Sequence, residues 1–401
     1  MIAPDSEAGF ACAIAAATAA KSALNLSGYG SKAGFLRPVV AGETLSTRAF
    51  RGVSLYAPKE LVLSARSGTP LADLEATLAA SGQHLIAEPP RYGFLGGADA
   101  TQSFGGVIAC NLSGPRRIAW GAMRDHVLGV RAITGRGEIM RSGGRVLKNV
   151  TGLDLAKLLT GSYGTLALLT EITVKVLPIP EETGTLVLHD LTPARAVAAL
   201  SAALGSPFSV TGAAYLPERA AAAVGYDRQV ALIRIEDVAA SVAYRLRALS
   251  TQLSRYAAST LLDRAGSLAI WQAVRDATPL AEVMPVQGGL EQAMIWRVSV
   301  APSRGPDILG VAQALGLDGY LDWGGGLLML AGPASQAAAS ALTEAVTAVG
   351  GGWWLLRAPE ALRTSLACVP EEPPALAAIR GRLQTAFDPA GIFSPGKLHA
   401  A

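Results

Sequence analysis

The spacing of apolar and polar residues predicts a mixture of short helices and strands in the first 180 residues. An alanine-rich stretch over residues 6–23 predicts a first helix, and the apolar run 61–65 predicts a strand. Pro70 lies near the start of a predicted helix over 71–81, where its missing N–H does least harm, and Gly82 ends that helix. Short helices therefore alternate with strands in this part.

Two β-rich patterns close this first part of the chain. Residues 127–141 read as strand, turn and strand, with Gly135-Arg136-Gly137 at the turn, which predicts a hairpin. A long β-rich run over 166–176 follows. Pro178 and Pro180 then interrupt the pattern, and we place a domain boundary after residue 180.

Beyond residue 180 strand-like runs alternate with helical stretches, which predicts an α+β domain packed on one sheet. The prolines in the segment 371–374 indicate a linker, and a last helix over about 375–386 leads into the C-terminal tail. The predicted strands are 185–189, 210–216, 230–236, 295–300, 320–330 and 353–357, and the predicted helices are 193–204, 238–255 and 334–348.

Composition narrows the class of protein. Half of the 401 residues are hydrophobic and 16% are charged, which is typical of a globular chain with large cores. The net charge is +3, and Arg116-Arg117 is the notable basic pair of the first half, so we expect no nucleic-acid interface. Cys12, Cys110 and Cys368 lie far apart with no C-x-x-C spacing, so we expect no metal or iron–sulfur site in this chain.

The first residues do not resemble a targeting segment. A signal peptide begins with basic residues, whereas the acidic Asp5 and Glu7 lie near the start of this sequence. The apolar stretch 11–20 is too short for a signal peptide or a spanning helix. No apolar run of about 18 residues occurs in the sequence. We therefore expect a cytoplasmic protein, with any membrane association only indirect, at the inner face and through a partner complex.

The segment 24–32 carries the most informative chemistry. A short apolar strand runs into a turn in which Gly28 and Gly30 can take positive φ and leave room for a ligand. Such a turn directs several N–H groups at one point, and Lys32 adds a positive charge, so the pattern indicates a phosphate or diphosphate site. It is neither a Walker loop nor a Rossmann fingerprint, since Gly34 comes one residue late. The alternative is an ordinary surface turn between strands.

Further segments give this turn a context. Ser103-Phe104-Gly105-Gly106, the segment 148–154, Gly161-Ser162-Tyr163-Gly164 and a tail over 387–397 follow in that order. Together they resemble the FAD-binding fold of the vanillyl-alcohol oxidase and p-cresol methylhydroxylase type. The resemblance is dense over residues 20–180, thin over 181–375, and returns over 383–398.

This resemblance implies an α+β fold with two α+β subdomains that bind FAD, an α+β cap and a C-terminal tail that returns to the flavin site. The implied domains are 1–180 for FAD binding, 181–375 for the cap, and 376–401 for the last helix and tail. The residues that it implies for cofactor binding are Ser27, Gly28, Tyr29, Gly30, Ser31, Lys32, Ser103, Gly105, Gly106, Asn111, Ser113, Gly114, Gly161, Ser162, Gly164, Glu171 and Ile172.

The mode of FAD attachment is inferred from the lack of a histidine near the glycine turn. In this superfamily covalent attachment uses a His or Cys near the flavin, and no His lies between residues 1 and 83. Cys110 is expected to serve packing rather than linkage, so FAD is predicted to bind non-covalently. Tyr29 is expected either to stack near the cofactor or to face solvent, and Asp125 either to contribute to the site or only to cap backbone groups.

Within the superfamily the chain resembles the FAD-binding subunits of glycolate oxidases. This resemblance implies oxidation of glycolate to glyoxylate, with electrons passed through flavin and iron–sulfur carriers. The implied partners are a catalytic FAD subunit and an iron–sulfur subunit. Related flavin dehydrogenases of 2-hydroxy acids carry a His-x-His metal pair, and His84, His126, His189 and His399 show no such spacing.

Catalytic residues therefore stay unassigned. Arg297 and Arg357 are candidates for binding a substrate carboxylate, because arginine pairs with it bidentately, although ordinary salt bridges are the alternative. Two other functions stay open. The chain could be a non-catalytic FAD-binding paralogue with a structural or electron-relay role, or a self-sufficient flavin oxidase of another hydroxy acid or alcohol.

Overall fold

The computed structural model describes residues 1–92, 101–144, 153–284 and 289–399. The motif residues 97–100 and 148–152 lie outside the described residues. Chain contacts group the protein into two units: Met1–Ser113, Gly121–Ile179 and Glu371–Ala401 form the first, and Gly114–Trp120 with Pro180–Pro370 form the second. The domain boundaries expected after residues 180 and 375 stay a prediction.

Sixteen strands and fifteen α-helices are described, numbered in chain order. The strands are β1 (Leu24–Ser27), β2 (Glu43–Ser46), β3 (Val53–Ala57), β4 (Val62–Arg66), β5 (Gln83–Leu85), β6 (Val127–Ile133), β7 (Ile139–Gly143), β8 (Leu168–Pro178), β9 (Glu182–His189), β10 (Gly212–Leu216), β11 (Val230–Asp237), β12 (Ser259–Leu262), β13 (Ala293–Ser299), β14 (Asp318–Asp322), β15 (Leu327–Pro333) and β16 (Gly352–Arg357). The helices are α1 (Glu7–Ala19), α2 (Leu71–Ala79), α3 (Phe104–Ala109), α4 (Arg117–Trp120), α5 (Met123–His126), α6 (Leu155–Leu159), α7 (Pro193–Leu204), α8 (Glu218–Ala222), α9 (Ala239–Leu253), α10 (Arg264–Arg275), α11 (Leu280–Val283), α12 (Gly305–Ala314), α13 (Gln336–Ala348), α14 (Glu360–Ser365) and α15 (Pro374–Phe387).

The first unit contains two sheets. Strands β1 and β2 pair in parallel, and the chain returns at the C-terminus to add a parallel bridge between Leu24 and Phe393. The larger sheet is antiparallel in the order β3-β4-β8-β6-β7, and β5 pairs with the far end of β8. The hairpin predicted over 127–141 is confirmed as β6 and β7, with Gly137 at a φ of +78° in its turn.

Helix α1 anchors the core of this unit. It starts after Ser6, whose side chain accepts a hydrogen bond from Gly9 N and so satisfies one of the free N–H groups of the first turn. Phe10 and Ile14 lie one turn apart and are fully buried against a cluster that includes Leu45 and Phe393. Residues from both ends of the chain thus share one core, which brings the tail beside β1.

The second unit is built on one eight-stranded antiparallel sheet, in the order β12-β9-β11-β10-β14-β15-β13-β16. The helices predicted over 193–204, 238–255 and 334–348 are present as α7, α9 and α13. The single strand-like run predicted over 320–330 is wrong. It divides into β14 and β15, because Trp323, Gly324 and Gly325 all have positive φ and reverse the chain.

Strand β12 and helices α10 and α12 are further elements that the sequence pattern did not predict. The antiparallel strands and interspersed helices of both units agree with the predicted α+β class. Within the described ranges, no helix combines the length and the apolar character needed to cross a membrane.

Candidate functional site

Strand β2 and the residue that follows it donate hydrogen bonds to the glycine turn after β1. Ser46 Oγ donates to Gly28 O at 2.8 Å, and Thr47 N donates to Ser27 O at 2.8 Å. Gly30 has a φ of +83°, and a Cβ atom there would have no heavy atom within 4 Å. The carbonyl groups of Ser27 and Gly28 are therefore engaged by the protein, while the side of the turn at Gly30 is open.

The amide N–H groups of residues 28–32 form a nest. Within the described part of the chain, none of these consecutive N–H groups donates to a protein acceptor. Unengaged N–H groups that follow one another around a turn carry partial positive charge toward a common point, which is the arrangement that binds phosphate. The predicted anion turn thus has the donors that its chemistry requires.

Lys32 adds a full charge beside this nest. Its Nζ atom donates to Ser31 Oγ at 3.1 Å and to Gln102 Oε1 at 3.0 Å, and both partners are neutral. No carboxylate pairs with Lys32 among the described residues. Burial lowers the pKa of the Lys32 ammonium to about 8, because desolvation disfavours the charged form. A bound anion would restore the favourable electrostatic environment that this ammonium lacks.

The turn before α3 forms the opposite wall. Ser103 caps α3 by accepting a hydrogen bond from Gly106 N at 3.2 Å. A Cβ atom on Gly28 would collide with the Ser103 side chain, and one on Gly105 would lie 2.6 Å from Ser67 Cβ. Glycine is needed at both positions because the two backbone segments approach closely.

The C-terminal tail supplies a third wall. Leu24 N donates to Ile392 O at 2.7 Å, and Leu26 N donates to Ser394 Oγ at 3.1 Å, so the tail lies along β1. Lys397 Nζ donates to Phe35 O at 2.6 Å at the end of the same loop. The return of the tail to this site was predicted, whereas Ser394 and Lys397 were not named as site residues.

Two adjoining cavities lie between these walls, and the structure brings most of the predicted phosphate-site residues to them. The first has a volume of about 100 Å³. It is lined by Asn25, Leu26, Ser27, Gly28, Tyr29, Gly30, Ser31, Lys32, Ala33, Ser103, Gly106, Ala109, Cys110, Tyr163, Ser394 and Lys397. The second is lined by Leu26, Ser27, Gly28, Thr47, Ser67, Gly105, Gly106, Ala109, Gly164, Ala167, Leu168 and Leu169.

The loop after α6 reaches the first cavity through Tyr163. Gly161, Tyr163 and Gly164 have φ values of +92°, +53° and +71°. Tyr163 N donates to Ala109 O at 2.8 Å, which fixes the loop on α3. A bulky residue with positive φ is uncommon, and such strain is concentrated at functional sites. Gly161 lies outside the cavity lining, and only Gly164 of the predicted pair lines a cavity.

Several predicted side chains are engaged within the protein instead. Asn111 Oδ1 accepts from Arg124 N at 2.9 Å, and Ser113 Oγ accepts from Met123 N at 2.9 Å. Ser162 Oγ donates to Leu159 O at 2.8 Å. Asp125 Oδ2 accepts from Ala122 N at 2.8 Å, which is the capping role weighed for it. These groups hold the turns around the site rather than line its cavities.

Glu171, Ile172 and Gly114 are also absent from the lining of these two cavities, whereas Tyr29 is not. Glu171 and Ile172 lie in the middle of β8, where they pair with β4 on one side and β6 on the other. Gly114 groups with the second unit. Tyr29 is partly buried and lines the first cavity.

Ser67 is a site residue that local patterns could not reveal. Its side chain is buried, and its Oγ atom has no hydrogen-bond partner among the described residues. A buried hydroxyl without a partner costs free energy, so its retention calls for an explanation. Because Ser67 lines the second cavity, a polar group bound there would supply the missing partner.

Cys110 lies at the end of α3 beside Lys32. Burial raises the pKa of its thiol, and the nearby Lys32 and Lys397 charges only partly offset that effect. The thiol is therefore predominantly protonated and a poor nucleophile near neutral pH. This agrees with a packing role.

In the second unit, the two arginines considered for carboxylate binding have different surroundings. Arg357 Nε donates to Leu290 O at 2.9 Å. Arg297 is partly buried, and its Cζ atom lies over the rings of Trp323 and Trp354 at 5.1 and 4.8 Å from their centroids. Among the described residues its guanidinium has neither a hydrogen bond nor an ion pair.

The first unit's antiparallel sheet, its phosphate-type nest and its returning tail define a FAD-binding flavoprotein of the oxidoreductase class. A family model described as "FAD binding domain" matches residues 1–143. The chain is 35% identical over 389 residues to the glycolate oxidase subunit GlcE of Escherichia coli (strain K12), and the match covers 95% of this chain and 93% of that protein. The chain belongs to the family of this GlcE subunit.

Two further similarities extend this assignment. The glycolate oxidase subunit GlcD of Bacillus subtilis (strain 168) is 43% identical over 84 residues, 21% of this chain and 18% of that protein. The crystal structure of p-cresol methylhydroxylase with substrate bound superposes with a TM-score of 0.77 at 11% identity, and covers 99% of this chain and 88% of that one. The second similarity shows the fold alone, and it confirms the predicted p-cresol methylhydroxylase type.

Proposed function

We propose that the chain is the FAD-binding subunit of a complex that oxidises glycolate to glyoxylate. The observation that carries the proposal is the near full-length relationship to the glycolate oxidase subunit GlcE. The geometry of the first unit supports it, since the nest at 28–32 suits a diphosphate, and so does Lys32, whose partners among the described residues are neutral.

The residues of the two cavities fit FAD. The N–H groups of residues 28–32 would bind its diphosphate, Lys32 would offset the negative charge, and Ser67 would donate its hydroxyl to a polar group of the cofactor. Flavin supplies hydride and electron-transfer chemistry that amino-acid side chains lack, while the protein binds and orients it. We further propose that attachment is non-covalent, because no His precedes residue 84 and burial keeps the Cys110 thiol protonated.

The proposed partners are a second, catalytic FAD subunit and an iron–sulfur subunit. Similarity to both GlcE and GlcD, each named as a glycolate oxidase subunit, supports assembly with other chains. The iron–sulfur subunit is proposed as the acceptor of the flavin's electrons, since this chain has no cysteine spacing suited to a cluster of its own.

A second candidate function is an FAD-containing relay or structural subunit that does not itself react with glycolate. The dispersed histidines favour this role for the isolated chain, since removing a proton from a hydroxy acid needs a positioned base. In the described residues, no group of three or more His, Cys, Asp or Glu side chains could hold a metal ion.

Anaerobic mixing with glycolate tests the proposal. We expect the flavin absorbance to fall when glycolate meets the assembled complex and to stay unchanged when it meets the FAD-loaded chain alone. Rapid bleaching of the isolated chain would favour a self-sufficient oxidase. A complex that contains this chain but leaves glycolate unoxidised would contradict the proposed function.

A further inference from the structure

One buried carboxylate organises the turn between helix α15 and the C-terminal tail. Asp388 follows the last residue of α15, is 2% exposed, and donates from its backbone N to Gln384 O at 2.7 Å. Its Oδ2 atom accepts from Phe393 N at 2.8 Å, and its backbone O atom accepts from Gly391 N at 3.1 Å. These bonds close the segment 388–393 into a compact turn, which fixes the direction in which the tail leaves the helix.

The turn between β6 and β7 packs directly on this carboxylate. Gly135 N donates to Phe387 O at 2.8 Å. A Cβ atom on Gly135 would lie 2.5 Å from Asp388 Oδ1 and 2.8 Å from Asp388 Cα, so only glycine allows this approach. The hairpin therefore leaves the Asp388 side chain little room to move.

The residues after the 388–393 turn form the tail wall of the first cavity. Leu24 N donates to Ile392 O at 2.7 Å, and Ser394 N donates to Leu24 O at 2.8 Å. Ser394 has a φ of +41°, a conformation that is uncommon for serine and that the surrounding structure must hold in place. Ser394 and Lys397 line the first cavity, so the position of this wall depends on the turn that precedes it.

The negative charge of Asp388 does not explain why a carboxylate occupies this position. Its Oδ1 atom has no hydrogen-bond partner among the described residues. Burial raises the pKa of Asp388, and the backbone N–H groups that face the carboxylate only partly offset this effect. A raised pKa means that folding disfavours the charged form. The acceptor is what the structure uses, because without Oδ2 the buried Phe393 N–H would lose its hydrogen bond.

We propose that Asp388 is a positioning residue for FAD binding: by accepting from Phe393 N, it fixes the tail that places Ser394 and Lys397 beside the cofactor. Asp388 is absent from the lining of both cavities, so it acts through the tail. The apparent FAD affinity then follows the fraction of molecules in which the tail is in place. This inference concerns FAD binding and does not rest on the proposed oxidation of glycolate.

Titration of the full chain with FAD tests the proposal. We expect Asp388→Ala to weaken FAD binding about tenfold, as for loss of one buried hydrogen bond. Asp388→Asn keeps an acceptor oxygen for Phe393 N and should bind FAD as the unaltered chain does. Asp5→Ala removes an exposed carboxylate of the same unit and is the matched control, which should leave FAD binding unchanged.

Hydrogen exchange distinguishes positioning of the tail from a general role in folding. In the folded Asp388→Ala variant, the amides of β1 and of residues 391–397 should exchange faster than in the unaltered chain. The amides of α2, which lies in the same unit, should exchange at the same rate in both. Asp388→Asn should restore slow exchange in the tail.

Three outcomes would overturn the assignment. They are an unchanged FAD affinity in folded Asp388→Ala, an Asp388→Asn variant that binds FAD as weakly as Asp388→Ala, and exchange that is faster throughout the unit. If Asp388→Ala does not fold, Gly135→Ala displaces the same carboxylate from its other side and should weaken FAD binding. Gly144→Ala, where a Cβ atom has open space just after β7, is its control. Equal FAD affinity in the two folded glycine variants would also contradict the proposal.

Discussion

Lys32 Nζ donates a 3.0 Å hydrogen bond to Gln102 Oε1, and Gln102 is fixed in turn by donating from Nε2 to Pro90 O at 3.0 Å. A neutral amide thus positions the lysine charge without neutralising it. A carboxylate at this position would compete with a bound phosphate for the ammonium group. The pair therefore keeps a cation available beside the amide nest.

This arrangement predicts that FAD binding depends on pH. The pKa of Lys32 is about 8 without ligand, and a bound diphosphate raises it. FAD affinity should be constant below pH 8, where Lys32 is already protonated. It should fall above pH 8, by up to tenfold per pH unit, because binding then requires proton uptake. Titrations with FAD between pH 7 and 9.5 measure this slope.

Two lysine variants test whether the pH dependence of FAD affinity comes from Lys32. Lys32→Met should bind FAD more weakly at pH 7 and lose the pH dependence above 8. Lys59→Met removes an exposed lysine of the same unit and should retain both. If Lys32→Met kept the full slope, another group would be responsible for it.

We predict that Gly30→Val reduces the flavin content of the folded chain. Gly30 has a φ of +83°, and a branched side chain in this region costs about 1–2 kcal/mol in addition to crowding the open side of the nest. Gly34→Val is the control, because Gly34 lies in the same loop with ordinary φ and open space. Equal flavin content in both folded variants would show that the turn does not hold the diphosphate.

Ser67→Ala should separate cofactor binding from stability. The Ser67 hydroxyl has no partner among the described residues, so its removal should leave the unfolding free energy of the FAD-free chain unchanged or slightly higher. FAD affinity should fall by about 2- to 10-fold if the hydroxyl bonds the cofactor. Denaturant unfolding and FAD titration measure the two quantities.

Ser64→Ala, on the strand that precedes Ser67, is the opposite case. Ser64 Oγ lies 2.8 Å from Thr173 Oγ1, so this variant should lose about 1 kcal/mol of stability. Its FAD affinity should match that of the unaltered chain. A Ser67→Ala variant that is destabilised to the same extent, with normal FAD binding, would assign Ser67 to the core instead.

The sequence predicted the parts of the site that are contiguous in the chain. Residues 27–32 form a local turn, so glycine spacing and Lys32 were sufficient to identify it. Ser394 and Lys397 reach the cavity only because the tail packs on β1, and the unpaired state of Ser67 depends on what surrounds it after folding. The turn at Trp323 was missed although Gly324, Gly325 and Gly326 interrupt the run 320–330. The apolar residues on both sides of the three glycines conceal the turn, although glycine is a strong turn signal.

In the second unit, we predict that Glu236→Gln lowers the unfolding free energy by about 3–5 kcal/mol. The carboxylate is buried between Arg116 and Arg234, and removal of its charge deprives both guanidiniums of this anionic partner. Asp237→Asn is the control. The neighbouring Asp237 pairs with Arg245 at an exposed position, where a change of at most about 1 kcal/mol is expected.

The same cluster predicts an acid transition. Burial raises the pKa of Glu236, but Arg234 and Arg116 outweigh that effect and hold the pKa at about 2, below the ordinary 4.5. Its stabilisation is therefore present above pH 4.5 and is lost as the pH falls toward 2. Denaturant unfolding between pH 3 and 7 should show a smaller loss of stability in Glu236→Gln than in the unaltered chain. Parallel losses would contradict the assignment to Glu236.

Finally, we predict that acid releases all of the flavin from the protein. No histidine precedes residue 84, and Cys110, the cysteine that lines the first cavity, has a thiol whose pKa is raised by burial. A protonated thiol does not attack an electrophile efficiently, so Cys110 is not prepared to form a covalent bond with the cofactor. After precipitation with acid, the flavin should appear in the supernatant, and the protein mass should equal that of the unmodified chain. Cys110→Ser should behave in the same way, since its side chain is not expected to carry the cofactor. A coloured pellet whose colour disappears in Cys110→Ser would instead identify this cysteine as the point of attachment.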